Sequence, residues 1–108
     1  MIEEVLTNYI SNALNHVDDN KHVKIEIKQD KDVARISVFN SGSHIPNEDI
    51  DMIWDKFYKV DKARTREYGG SGVGLSIVKA IMEKHDRKYG VSNVENGVEF
   101  WFELDIKA

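Results

Sequence analysis

Asn8, Asn12 and His16 recur at four-residue steps, and Asn15 follows Asn12 by three. On a helix that spacing places the side chains along one stripe. Asparagine is a mediocre helix former, so three in one helix suggest either a solvated face or a face that meets a ligand. An amide carbonyl can ligate a hard cation and an amide N–H can donate, but neither can take a proton from water. A second stretch, Tyr68-Gly69-Gly70-Ser71-Gly72-Val73-Gly74-Leu75-Ser76-Ile77-Val78-Lys79, carries four glycines in six positions. Close-approaching backbone amides at a helix start suit a polyphosphate. The spacing is neither the P-loop nor the dinucleotide fingerprint, and a flexible hinge with a tight packing contact is the other reading.

The elements that must position these groups follow from hydrophobic spacing. Ile2, Val5, Leu6, Tyr9, Ile10 and Ala13 predict an amphipathic helix from residue 2 to about 16. Val23, Ile25 and Ile27 alternate with Lys24, Glu26 and Lys28, and Ala34, Ile36 and Val38 alternate with Arg35 and Ser37. Both read as strands, joined by a turn over 29–32. Residues 40–47 form a loop around Pro46, and Ile50, Ile53, Trp54 and Phe57 predict a short helix over 48–57. The basic, glycine-containing segment 58–72 reads as a loop, and a helix is predicted from 72 to about 85. A weaker strand near 88–94, a turn at Asn96-Gly97 and a strand carrying Val98, Phe100, Phe102, Leu104 and Ile106 complete the chain. Clean alternation points to a mixed, mostly antiparallel sheet with helices on one face, an α+β two-layer sandwich.

The 108 residues suffice for one domain, spanning 1–108, and 41% hydrophobic with 31% charged residues describes a globular one. A net charge of −4 argues against a nucleic-acid surface. With no cysteine, disulfides, thiolate metal sites and cysteine nucleophiles are excluded. No apolar run reaches the roughly 18 residues of a membrane helix. Helical spacing already runs at Ile2 with no capping residue before it, so the sequence is expected to begin inside an element of a longer parent.

As a set, these segments resemble the catalytic ATP-binding domain of sensor histidine kinases, in the ATPase superfamily shared with DNA gyrase and the large heat-shock chaperones. Residues 8–16 look like its asparagine box, Asn40-Ser41-Gly42-Ser43-His44-Ile45-Pro46 like its first glycine box, Phe57-Tyr58-Lys59 like its phenylalanine box, and 70–75 like its second glycine box. The resemblance implies a Bergerat-type fold, N-terminally truncated, that binds ATP and Mg²⁺. It implies Asn8 and Asn12 as catalytic residues, with Asn12 the Mg²⁺ ligand and Asn8 standing where hydrolytic relatives carry a glutamate base. The implied ATP contacts are Asn12, Asn15 and His16; Asn40, Gly42 and Ile45; Tyr58, Lys59, Arg64 and Arg66 in a lid; and Gly70, Ser71, Gly72, Val73, Gly74 and Leu75. The implied partners are the parent's own dimerisation domain, which carries the phosphoacceptor histidine, and a response regulator. The implied setting is the cytoplasmic side of a membrane that anchors the parent.

Four positions depart from the family pattern. Asn40 replaces an aspartate that accepts from the adenine amino group, Val98 replaces a supporting threonine, Asn15 replaces a cation near the phosphates, and His44 replaces a glycine. They motivate a second reading, a nucleotide-free interaction module on the same fold. A third, a serine kinase of the anti-sigma type, is disfavoured by the phenylalanine box.

Overall fold

A computed structural model describes residues 2–55 and 74–106. The predicted first helix is present as α1 (Ile2–His16). Glu3 and Glu4 occupy its first turn, where negative charge complements the positive end of the helix dipole. Two strands follow, β1 (Val23–Asp30) and β2 (Val33–Ser41). They are joined by a two-residue turn, Lys31-Asp32, in which Lys31 takes a positive φ of 54°. The second helix, α2 (Gly74–His85), leads to β3 (Tyr89–Val94) and β4 (Gly97–Asp105). Asn96 makes the turn between them at φ 69°, a conformation asparagine tolerates better than most residues.

The four strands lie in the order β1-β2-β4-β3 and every neighbouring pair is antiparallel. Ala34, Ile36 and Val38 of β2 and Val98, Phe100 and Phe102 of β4 point to one face. There they bury against Val5, Tyr9 and Ala13 of α1 and Leu75, Val78, Ile81 and Met82 of α2. Tyr9 is the keystone of that layer: its ring lies 5.2 Å from Phe100 and 5.8 Å from Phe102. Its hydroxyl, which burial would leave costly if unbonded, donates to Trp101 O at 3.1 Å. Burial pushes the Tyr9 hydroxyl's pKa far above the ordinary range, so it stays protonated and able to donate.

Two expectations change. The helix predicted over 48–57 is, as far as residue 55, a 3₁₀ turn at Asn47–Asp49 followed by further turns. Three-residue bonds, Asp49 N to Pro46 O, Met52 N to Asp49 O and Asp55 N to Met52 O, tighten the backbone. The reason is tertiary: the adjacent Ile53 and Trp54 both bury, and the Trp54 ring meets Tyr89 edge-on at 5.0 Å and Phe100 at 5.9 Å. The second change is β1, whose apolar members do not bury: Val23 is 36%, Ile25 48% and Ile27 67% exposed. β1 is the sheet's edge, and among the described residues the helical layer stops over β2.

On the other face of the sheet, the Arg35 guanidinium lies 4.0 Å over the Trp101 ring and donates from Nε and Nη2 to Glu103 Oε2. Arg35 thereby joins the two central strands on this face through both an ion pair and a cation–π contact.

Candidate functional site

The amide stripe of α1 flanks the core stripe of the same helix. Asn12 is 2% exposed, whereas Asn8 and His16 are half-buried and Asn15 is exposed. Asn8 turns its Nδ2 back along the helix to donate to Glu4 O at 2.8 Å. Burial pushes the His16 imidazole down to about 4, so it is neutral at physiological pH.

The end of β2 meets the end of this helix. Ser41 Oγ donates to Asp18 Oδ1 at 2.7 Å, Asp18 N donates to Ser41 O at 3.0 Å, and Ser41 Oγ accepts from His22 N at 3.1 Å. The Ser41 hydroxyl beside it holds the Asp18 carboxyl below the usual aspartate range. Gly42 comes next, at φ 147°, and a Cβ there would sit 3.1 Å from His16 O and 3.6 Å from Asn40 Nδ2. Only glycine lets the two segments approach so closely in that conformation. Asn40, Gly42 and His16 are thereby brought together.

Asn40 is 2% exposed. Its Nδ2 donates to Ser41 O at 3.2 Å, which fixes the orientation of the amide, and its Oδ1 has no hydrogen-bond partner among the described residues. In register beside it on β4 is Val98, which offers no donor. A buried amide oxygen left without a donor carries a penalty of roughly 1–3 kcal/mol. Such a group is positioned to accept from something that enters the site. Gly97 permits the close approach of the β3–β4 turn, since a Cβ on it would lie 2.1 Å from Asn40 O.

The loop after Gly42 is tied to that hairpin. Gly42 N donates to Asn96 O at 3.1 Å and His44 Nε2 donates to Val94 O at 2.7 Å. Ile45 N donates to Asn93 Oδ1 and Asn93 Nδ2 donates to Ile45 O, both at 2.8 Å. Ile45 itself is 1% exposed and joins the core. At the far side, Gly74 opens α2 and the Leu75 side chain packs into the core at 3% exposure. Tyr58, Lys59, Arg64 and Arg66 of the expected lid, and Gly70, Ser71, Gly72 and Val73 of the second glycine-rich stretch, lie outside the described residues.

Asp18 and Asn93 were not singled out from the sequence. Asp18-Asp19-Asn20 is a turn signal, and Asp18 does accept from Asn20 N at 3.0 Å. Asn93 interrupts the inward alternation Tyr89, Val91 with an amide, a break in pattern that marks a polar task.

A family model described as histidine kinase-, DNA gyrase B- and HSP90-like ATPase matches residues 1–108. The sensor histidine kinase WalK of Bacillus subtilis (strain 168) is 38% identical over 109 residues, covering 98% of this chain and 18% of the relative. The nucleotide-free catalytic domain of the histidine kinase ThkA superposes with a TM-score of 0.81 at 35% identity, covering 96% of this chain and 65% of that one. ThkA in complex with the response regulator protein TrrA gives 0.79 at 34% identity, covering 98% and 28%. Full-length ShkA in complex with AMPPNP gives 0.82 at 25% identity, covering 99% and 22%. The chain thus spans less than a fifth of WalK's length and about two-thirds of the isolated ThkA domain. It belongs to the family of histidine kinase-, DNA gyrase B- and HSP90-like ATPases.

Proposed function

We propose that this chain is the ATP-binding catalytic domain of a two-component sensor histidine kinase, passing the γ-phosphoryl group of Mg-ATP to a histidine on the parent's dimerisation domain and thence to a response regulator. The observation that carries the reading is the buried, donor-less Oδ1 of Asn40. An adenine amino group has the N–H this oxygen needs, and Ser41 O holds the amide so that the oxygen, not the nitrogen, faces that task. The departure from aspartate at this position therefore keeps the acceptor and gives up only its charge. The likeness to ThkA bound to a response regulator and to ShkA bound to AMPPNP supports the partner and the ligand.

Asn8 and Asn12 are assigned to the phosphate end. An amide at Asn8, engaged with Glu4 O, cannot activate water, so the site holds ATP for another nucleophile. Among the described residues no group of three His, Cys, Asp or Glu could hold a metal by itself. Mg²⁺ keeps waters and phosphate oxygens and needs only one or two protein oxygens, and an amide carbonyl is such an oxygen; Asn12 would supply one. Mg²⁺ would neutralise charge on the transferring phosphoryl group. His16 and Asn15 would flank the nucleotide on the α1 side, and Gly42 and Ile45 would face its base. The backbone amides of residues 70–74 with Lys59, Arg64 and Arg66, and Tyr58 beside them, are the groups assigned to the polyphosphate and its cover. The parent is proposed to work at the cytoplasmic side of a membrane; no helix among the described residues is long and apolar enough to cross one.

Calorimetric titration with a non-hydrolysable ATP analogue, with and without Mg²⁺, tests the reading. Magnesium-dependent binding that is lost in Asn12→Ala is expected. Absence of binding by the unaltered chain would sink it and favour the interaction-module alternative.

A further inference from the structure

We propose that Asn93 is a positioning residue of the nucleotide site, its side-chain amide fixing the backbone of Ile45 so that the loop over residues 42–46 forms a preset wall of the base pocket. This rests on the ATP-binding reading above and adds a residue that reading does not use.

The loop has no regular structure of its own between the end of β2 and the 3₁₀ turn. A segment of that kind needs its backbone groups satisfied from outside. Asn93 does this at two points at once: Oδ1 accepts from Ile45 N and Nδ2 donates to Ile45 O, each at 2.8 Å. A carboxamide has both a donor and an acceptor, and both are spent on one residue of the loop. Val94 O and Asn96 O, from the same hairpin, add bonds to His44 and Gly42, so the loop is attached along its length to one rigid element.

The sheet register shows why Asn93 belongs with the site. Asn40 pairs with Val98 on β2 and β4, and Val98 pairs with Asn93 on β4 and β3. The two amides therefore occupy one inward-facing row with a valine between them, about 10 Å apart by the usual strand spacing. Asn40 is left with a vacant acceptor, whereas Asn93 has both ends engaged. At that separation Asn93 cannot share the hydrogen-bond donor that Asn40 awaits. It acts through Ile45, whose backbone it holds and whose side chain is buried in the core, and an unfixed loop would have to be ordered each time nucleotide bound.

The test is the affinity of the folded chain for the non-hydrolysable ATP analogue, measured by calorimetry well below each variant's unfolding midpoint. Asn93→Ala is expected to weaken binding about tenfold, the scale of one well-made hydrogen bond. Asn93→Asp is expected to be similarly weak at pH 7.5, because a carboxylate accepts from Ile45 N but meets Ile45 O with no donor. As pH falls through the ordinary aspartate pKa of about 4, its affinity relative to the unaltered chain at the same pH should recover, since a protonated carboxyl restores the donor. A purely structural role would lower the melting temperature and leave the folded protein's affinity unchanged in both variants; that result overturns the proposal. If Asn93→Ala does not fold, the pH comparison within Asn93→Asp still decides, and a pH-independent ratio refutes it. Failure of the unaltered chain to bind would overturn the ATP reading and this inference with it, whereas binding unchanged by either variant would overturn the inference alone.

Discussion

β1 and β2 carry the same alternation of apolar and polar residues, yet they end in opposite environments. Ile36 and Val38 are 7% and 0% exposed, while their cross-strand neighbours Ile27 and Ile25 are 67% and 48% exposed. The side chains point to the same face; what differs is the helical layer above them. β2 lies under α1 and between two strands, and β1 lies at the edge. Period-two spacing tells which residues share a face, and only the neighbouring layer tells whether that face is covered. Lys24 and Lys28, on the other face of β1, supply the charges that commonly discourage edge-to-edge pairing. The site lies where the covered row of β2 runs out: Asn40 continues the inward series Ala34, Ile36, Val38 with an amide in place of a hydrocarbon.

The largest expected contrast is therefore between the two strands. Val38→Ala should cost about 2–3 kcal/mol, because it removes buried methyls and leaves a cavity the packed layer cannot fill. Urea unfolding monitored by tryptophan fluorescence would measure it, and a loss below half a kcal/mol would break the distinction. Next is Asn40→Leu, which turns the end of the covered row fully apolar. It should raise stability by about 1 kcal/mol by removing the unpaired acceptor, and at the same time abolish nucleotide binding. A variant that kept wild-type affinity would remove Asn40 from the site.

A pH series probes the same covered region at the end of α1. The His16 imidazole, held down to about 4 from its ordinary 6.5 by burial, stays neutral in the folded chain while the unfolded chain takes up a proton between those values. Folding stability should therefore be level above pH 6.5 and decline as pH falls towards 4. His16→Phe should flatten part of that slope in thermal melts, and an unchanged slope would place the titration elsewhere. The smallest effect belongs to β1: Ile27→Ala should stay within about 0.5 kcal/mol of the unaltered protein, since its side chain is mostly in water already.

Local spacing carried much of this molecule. α1, the alternating strands, the turn residues and the amide stripe were legible because each depends on neighbours within a few positions, and the motif order was enough for the family resemblance. The turn-rich segment 50–55 was misread as a helix because Ile50, Ile53 and Trp54 fit a helical period while Trp54 is held by Tyr89 and Phe100, residues far along the chain. Asp18 was overlooked because its partner Ser41 is twenty-three residues away.

What the sequence determined by itself was therefore the set of elements and the chemistry they bring: amides on α1, a glycine-bounded loop after β2, and an apolar face for each helix and strand. The tertiary structure decided the order β1-β2-β4-β3, which leaves Val23, Ile25 and Ile27 in water and sets Asn40, Val98 and Asn93 side by side. The physical reason is that strand order and layer coverage join residues distant in sequence, so no local period can encode which amide is left with a vacant oxygen and which is spent on holding Ile45.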